Sequence, residues 1–220
     1  MKNFFSRLMG TPEKPDVPVL SPEGIRRIFS DIPTLRTSRL TLRGIVESDC
    51  MDMYEYSCLQ SVTQYLLWYP HSDPGYTRRY IGRLREEYRE GRFYDWGITV
   101  NEGTRSKLIG TCGFTQIDCG QRSGEIGYVL SPSYWGMGIA PEAAARVVTF
   151  GFETLGLNRI EARYMTGNSR SRRVMEKIGM KYEGTHRQSM FVKGEYRDIG
   201  VCSILSSEYA ALTGKNIQAR

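Results

Sequence analysis

Two glycines stand where a predicted strand gives way to a predicted helix. Gly136 and Gly138 follow a strand-like run over 124–130 and precede Ala140-Pro141, which places proline in a first helical turn. Because glycine has no side chain, a ligand can approach the backbone closely there. The first N–H groups of a helix lack internal partners and lie at the positive end of its dipole. The segment therefore predicts a site for phosphate oxygens.

Other interpretations of this junction have to be weighed. A P-loop requires Lys followed by Ser or Thr after its second glycine, and Ile139-Ala140 stand there instead. A dinucleotide-binding fingerprint requires Gly or Ala where Pro141 stands, and it opens an early βαβ unit rather than following several strands. The glycines could also do no more than shape a turn, and the junction alone leaves that alternative open.

Composition excludes some classes of protein. With 40% hydrophobic and 25% charged residues, the chain is globular, and its net charge of +6 attracts polyanions such as nucleic acid, anionic lipid or a phosphorylated cofactor. Its five cysteines form no CxxC pair and His71 and His186 are far apart, so we expect free thiols, a cytoplasmic location and no metal. We find no signal peptide and no run of roughly 18 apolar residues, so no membrane association is expected.

Apolar periodicity predicts how these residues are positioned. Tyr76, Tyr80, Leu84 and Tyr88 recur every fourth residue and predict one face of a helix over 75–90. The strand-like runs and turn residues that follow predict an antiparallel meander, then a strand–helix–strand unit, a shorter helix and a final hairpin. The predicted elements after that helix are strands over 93–100, 108–117 and 124–130, a helix from Ala140, a strand over 159–164, a helix over 169–178, and strands over 181–192 and 196–205. This order predicts an α/β (α+β) fold.

The two ends of the chain differ from its centre. Pro12, Pro15, Pro18 and Pro22 interrupt residues 1–36, so we expect a flexible or loosely docked extension with a short helix over 22–30. Residues 37–209 form the predicted catalytic domain, and residues 210–220 form a C-terminal tail.

Four motifs in order resemble the GNAT acetyltransferase superfamily, and its RimJ/RimL-type branch in particular. Gly138 and Ala140 fit the end of the superfamily's Gln/Arg-x-x-Gly-x-Gly/Ala motif, although Trp135 takes the Gln/Arg position. The branch motifs are Glu125-Ile-Gly-Tyr128, Tyr134-Trp-Gly-x-Gly138, Asn168-x-x-Ser171-x-x-Val174-x-Glu176-Lys177-x-Gly179, and Lys193-Gly194-x-x-x-Asp198. The resemblance covers residues 37–209.

The resemblance implies the GNAT fold, with helices on both faces of a mixed, mostly antiparallel sheet. Its fourth strand bulges and splays from the fifth, and acetyl-CoA, the co-substrate, lies in the slot between them. The pantetheine arm pairs with strand backbone at Val129 and Leu130, and the diphosphate sits on the N–H groups of residues 135–140. The implied cofactor-binding residues are Tyr128, Val129, Leu130, Trp135, Gly136, Met137, Gly138, Ile139, Ala140, Asn168, Ser171 and Arg173.

The resemblance also implies direct attack of an amine on the acetyl thioester. Glu125 is the candidate general base, because a carboxylate at the matching position deprotonates the amine in related enzymes. Many GNAT enzymes place a tyrosine acid where this chain has Met175, so Ser171 becomes the candidate donor to the departing thiolate. Glu125 could instead orient substrate or pair with an arginine, and Ser171 could make a local backbone bond.

The sequence indicates less about the acceptor substrate than about the cofactor. Tyr65, Trp68 and His71 are candidate lining residues of its pocket, although such residues are often structural. The resemblance favours an N-acetyltransferase acting on a protein N-terminal amine, of the ribosomal-protein type, as a monomer or homodimer without direct contact to nucleic acid. The alternatives are acetylation of a small amine, such as a polyamine, amino acid or amino sugar, and a CoA-sensing or RNA-binding module without turnover.

Overall fold

One mixed sheet organises the molecule. The structure is a computed structural model that describes residues 21–101 and 106–214. Within that part, the strand order is β1-β2-β3-β4-β5-β6-β8-β7, and every neighbouring pair is antiparallel except the parallel pair β5 and β6. The strands are β1 (Leu35–Arg36), β2 (Leu40–Arg43), β3 (Tyr94–Val100), β4 (Leu108–Asp118), β5 (Ser123–Leu130), β6 (Arg159–Met165), β7 (Lys181–Val192) and β8 (Glu195–Leu205).

Helices pack on both faces of the sheet. Ile126 and Ile160 lie in the larger apolar core with Val147 of α5, while Val129 packs with Ile81 of α4 in a second core on the other face. We call these the α5 face and the α4 face. The helices are α1 (Pro22–Ser30), α2 (Cys50–Ser57), α3 (Gln60–Thr63), α4 (Pro74–Arg89), α5 (Ile139–Glu153), α6 (Ser169–Lys177) and α7 (Ser206–Thr213).

The sheet opens between β5 and β6, which are the fourth and fifth strands of the predicted order. They pair only through Ser123 with Arg159, Gly124 with Ile160, and Glu125 with Glu161. Beyond Glu125, β5 stays paired with β4 as far as Leu130 but no longer with β6. The predicted splay is therefore present, and it leaves one edge of β5 facing a slot.

The bulge differs from what the resemblance implied. The register between β4 and β5 shifts between Phe114 and Gln116, so the extra residue is Thr115 on β4 rather than a residue of β5. Because a bulge bends the strand that carries the extra residue, β4 contributes to turning β5 away from β6.

The helical face predicted for α4 was also offset. Thr77, Ile81, Leu84 and Tyr88 are its buried residues, whereas Tyr76 is 38% exposed. A strict four-residue spacing drifts around a helix of 3.6 residues per turn, so the buried stripe alternates steps of four and three.

The predicted extension is partly docked on the domain. Ile25 and Phe29 of α1 are buried, and the Phe29 ring contacts the rings of Tyr94, Trp96 and Phe150. These apolar contacts outweigh the proline-rich character from which loose docking was expected. Residues 1–20 lie outside the described residues, as do residues 215–220 of the predicted tail, whose boundary at residue 210 falls inside α7. None of the helices that the structure describes is long and apolar enough to span a bilayer.

Candidate active site

The loop before α5 presents a row of free backbone donors. Gly136 has a φ of +81° and Gly138 a φ of +75°, in the left-handed region that favours glycine. The first bond of the helix runs from the Glu142 amide to the Gly138 carbonyl at 3.3 Å, and the amides of residues 136–140 meet no acceptor among the described residues. This cradle fits a diphosphate, because unpaired N–H groups converge at a helix N-terminus.

Arg39, which was not predicted from the sequence, fixes this loop from the side. Its Nε donates to Glu142 Oε2 at 2.7 Å and its guanidinium donates to the Met137 carbonyl at 3.0 Å. Thr37 Oγ1 donates to Glu142 Oε1 at 2.6 Å. Burial opposes ionisation of Glu142, but the bonds from Thr37 and Arg39 prevail and lower its pKa. The loop is therefore held by a charged contact between β2 and α5.

Trp135 joins the end of β5 to α6. Its indole N–H donates to the Leu130 carbonyl at 2.8 Å, and the guanidinium carbon of Arg170 lies 4.4 Å from the centre of its ring. The tryptophan therefore takes up one lone pair of the Leu130 carbonyl, a group that the resemblance assigned to the pantetheine arm. Arg173, in contrast, is exposed on α6 and has no ion pair or hydrogen bond among the described residues.

Tyr128 and Ser171 meet across the slot. The Tyr128 hydroxyl lies 2.9 Å from Ser171 Oγ and 2.9 Å from the Ser171 carbonyl oxygen. Asn168 caps α6, accepting the Ser171 amide at 3.1 Å. Burial raises the pKa of Tyr128, while its bond to Ser171 acts in the opposite direction. The phenol therefore stays protonated, and it can donate a hydrogen bond to either oxygen of Ser171.

Glu125 lies at the last paired position before the sheet opens. Its Oε2 is 3.3 Å from Arg163 Nε, and its side chain is 23% exposed. Burial raises its pKa, Arg163 lowers it, and Glu161 raises it, so that the net change is upward. The raised pKa makes this carboxylate a stronger proton acceptor than an exposed glutamate.

The candidate acceptor residues separate into two groups. Tyr65 packs beside Met165, Val192 and Ile199, and a Cβ placed on Gly167 would lie 3.1 Å from its ring. Lys193, in the β7–β8 turn, donates to the Thr63 carbonyl at 2.6 Å. The late hairpin therefore docks against the segment that follows α3.

His71 and Trp68 belong to the second group. His71 is 7% exposed, and its Nδ1 lies 3.0 Å from Ser57 Oγ and 2.8 Å from Thr77 Oγ1. Its ring contacts those of Trp68, Tyr76 and Tyr80. Burial lowers the pKa of His71, which favours the neutral ring. These contacts connect His71 to α2 and α4, and its place in the acceptor pocket stays a prediction.

Comparisons with known proteins agree with this geometry. The sequence profile of the acetyltransferase (GNAT) domain matches residues 39–181. An uncharacterised N-acetyltransferase, p20 of Bacillus licheniformis, is 36% identical over 80% of this chain and 98% of its own length. The ribosomal protein uS5 alanine N-acetyltransferase of Escherichia coli is 24% identical over 77% of this chain and 90% of its own. A crystal structure of a GNAT acetyltransferase from Bacillus anthracis superposes with a TM-score of 0.71 at 27% identity, covering 80% of this chain and 99% of that one.

Proposed function

The chain belongs to the GNAT acetyltransferase family, and from that premise we propose that it transfers an acetyl group from acetyl-CoA to the N-terminal amine of a protein. Members of the family use acetyl-CoA. The observation that carries the proposal is the opening beyond Glu125, which has free amides at one end and Tyr128 with Ser171 beside it.

The residues present fit the cofactor. The amides of residues 136–140 would hold the diphosphate, Asn168 and the open edge of β5 at Val129 would border the pantetheine arm, and Arg173 would be free to meet the 3′-phosphate. Acetyl-CoA supplies a thioester whose carbonyl carbon bonds to the amine nitrogen as the carbon–sulfur bond breaks. Pairing of Arg172 with Glu176 at 2.8 Å makes it less available than Arg173.

Glu125 is the proposed proton acceptor for the attacking amine. A protein α-amine has a pKa of about 8, so at neutral pH one proton must be removed against a small free-energy difference. The carboxylate lies on the α4 face at the start of the opening, and its raised pKa brings it closer to that of the amine.

Ser171 is the proposed donor to the departing thiolate. When Tyr128 donates to Ser171 Oγ, the serine hydroxyl keeps its own proton for a further acceptor. The Asn168 cap holds the serine at the first turn of α6, so the hydroxyl is positioned by two contacts. Tyr128 thereby acts through Ser171 as a positioning residue.

The choice of a protein N-terminus is supported by the uS5 alanine acetyltransferase, which aligns over 90% of its length. Tyr65 packs against the β7–β8 hairpin, and Lys193 of that hairpin donates to the Thr63 carbonyl at 2.6 Å, so we expect a peptide to enter beside this contact.

A thiol-release assay tests the function. Wild type with acetyl-CoA should release CoA in the presence of peptides with free N-termini and not with the same peptides N-terminally acetylated, even when they contain lysine. If a polyamine or an amino sugar is acetylated and none of the peptides is, the acceptor is a small amine instead of a protein N-terminus. Release with none of these substrates would contradict the enzymatic proposal.

A further inference from the structure

Two glycines and one aspartate stand opposite one another on three neighbouring strands of the α4 face. Asp95 of β3 is directly opposite Gly113 of β4, which is directly opposite Gly127 of β5. Directly opposed residues on neighbouring strands share a face of the sheet. Two strand spacings separate Asp95 from Gly127, about 10 Å, and the two glycines leave this distance free of side chains within the row.

The Asp95 carboxylate lies over this row. A Cβ placed on Gly113 would be 2.3 Å from Asp95 Cα and from the Tyr94 carbonyl oxygen, and 2.8 Å from Asp95 Oδ1, so glycine is required by the close approach of the β3 backbone and also leaves room for the carboxylate. Oδ1 is buried and has no hydrogen-bond partner among the described residues, while Asp95 as a whole keeps some exposure. A buried carboxylate oxygen without a partner is costly, and native structures pair nearly all such atoms with protein, water or a ligand.

The groups around Asp95 supply no positive charge. The charge of Asp95 raises the pKa of four neutral groups near it, which are Tyr56 of α2, Tyr80 and Tyr88 of α4, and Cys112 of β4. Burial raises the pKa of Asp95 to about 7, although the Thr111 hydroxyl and the Trp96 amide act in the opposite direction. A carboxylate lined by phenol rings is suited to an ammonium ion, which is attracted both by the charge and by aromatic faces.

We infer that Asp95 and the row Gly113–Gly127 form a subsite that binds the ammonium group of the acceptor before it loses its proton. The row leads to Gly127, where β5 has left β6, so an amine held over Gly113 lies next to the slot. The substrate class is a cationic primary amine, which includes a protonated protein N-terminus. This inference rests on the proposed function for its acceptor, while the binding of a cation can be measured without turnover.

The test replaces Asp95 by Asn. Propylammonium chloride, at equal ionic strength to sodium chloride, should raise the melting temperature of the wild type and not of Asp95→Asn, and 1-propanol should not distinguish them. The acceptor KM should rise about 10- to 100-fold with the acetyl-CoA KM unchanged, since a hydrogen-bonded charge contact is lost. The variant itself should melt at or above the wild-type temperature, because a buried charge with one unpartnered oxygen is removed.

Asp52→Asn is the matched control. Asp52 is a buried residue of α2, and its carboxylate accepts the Leu108 amide at 3.1 Å, so neither the propylammonium response nor the acceptor KM should change. If Asp95→Asn does not fold, Gly127→Ala carries the test. Its added Cβ would lie 3.0 Å from Thr115 Cγ2 and would obstruct the row, so the propylammonium response should weaken.

An unchanged propylammonium response in the folded variant, with an unchanged acceptor KM, would overturn the inference. If the inference fails in this way but the wild type still acetylates peptides, the proposed function is retained. A wild type that binds propylammonium through Asp95 but acetylates nothing would remove the proposed function and keep the subsite.

Discussion

At the scale of single residues, the two carboxylates on the α4 face near the slot have opposite surroundings. Glu125 is 3.3 Å from Arg163 and also feels Glu161, whereas Asp95 has only neutral groups around it. Burial raises the pKa of both. The contrast favours a proton-transfer role for Glu125, whose charge is adjusted by an arginine, and a cation-binding role for Asp95.

Arg163→Met should shift the pH dependence of the reaction. Arg163 lowers the pKa of Glu125, so its removal raises that pKa and the base form appears only at higher pH. The acidic limb of kcat/KM should therefore move upward by up to about 0.7 pH unit, since a half-exposed ion pair contributes at most about 1 kcal/mol. Arg92→Met, which breaks an exposed pair with Glu87, should leave the profile in place. An unshifted profile in Arg163→Met would exclude Glu125 as the titrating base.

Ser171→Ala should lower kcat by about 10²-fold, the smaller range for loss of a positioned proton donor. Acetyl-CoA affinity should change little, because the hydroxyl acts on the leaving group. Ser169→Ala is the control, since Ser169 is an exposed serine in the same helical turn. Equal kcat values for the two variants would show that Ser171 makes only a local contact.

Some of these residues could be predicted from sequence and others could not. Glu125, Tyr128 and Ser171 lie within short motifs, so their neighbours in the chain marked them before any fold was known. Arg39 and Arg163 act through partners that are remote in sequence or on another strand, and no local spacing indicates them. The burial of His71 among hydroxyls and rings could not be predicted, because it depends on the packing of α2 against α4.

At the scale of elements, the boundaries followed local chemistry closely. Helix α1 was expected over residues 22–30 and spans Pro22–Ser30, with Ser21 accepting the Gly24 amide as its cap. Caps, prolines and glycines act within one helical turn, so the ends of a helix can be predicted from residues that are close in sequence. The tertiary placement of α1, with Phe29 in the core, depends on Trp96 and Phe150, which are distant in the chain.

Gly138→Val, compared with a matched variant, should distinguish a loss of stability from a loss of CoA binding. Valine at a φ of +75° costs about 1–3 kcal/mol of stability, and its side chain would stand at the diphosphate cradle. Gly214→Val is matched to it, because Gly214 has a φ of +65° at the end of α7, with open space around it. Both variants should melt lower than the wild type, and only Gly138→Val should lose CoA affinity in calorimetry. If the two variants bind CoA with equal affinity, the diphosphate does not bind at the N-terminus of α5.

At the scale of the whole molecule, the fold identifies the reaction class but not the acceptor. The order of elements along the chain predicts a mixed sheet, and the resemblance adds the splay between β5 and β6 that the structure contains. Relatives of one fold differ in their acceptors, because function depends on side chains placed at the site. The basic net charge of +6 is compatible with a phosphorylated cofactor and does not by itself identify an acceptor.

The central claim is that free amides at the N-terminus of α5 bind the diphosphate of CoA beside an open sheet. Thermal melting with acetyl-CoA and with pantetheine, which lacks the diphosphate, tests it most directly. Acetyl-CoA at about 100 times its Kd adds about 2.7 kcal/mol of stability, which predicts a rise of roughly 5–10 °C, and pantetheine at the same concentration should produce little change. No shift with acetyl-CoA, or an equal shift with pantetheine, would contradict the claim.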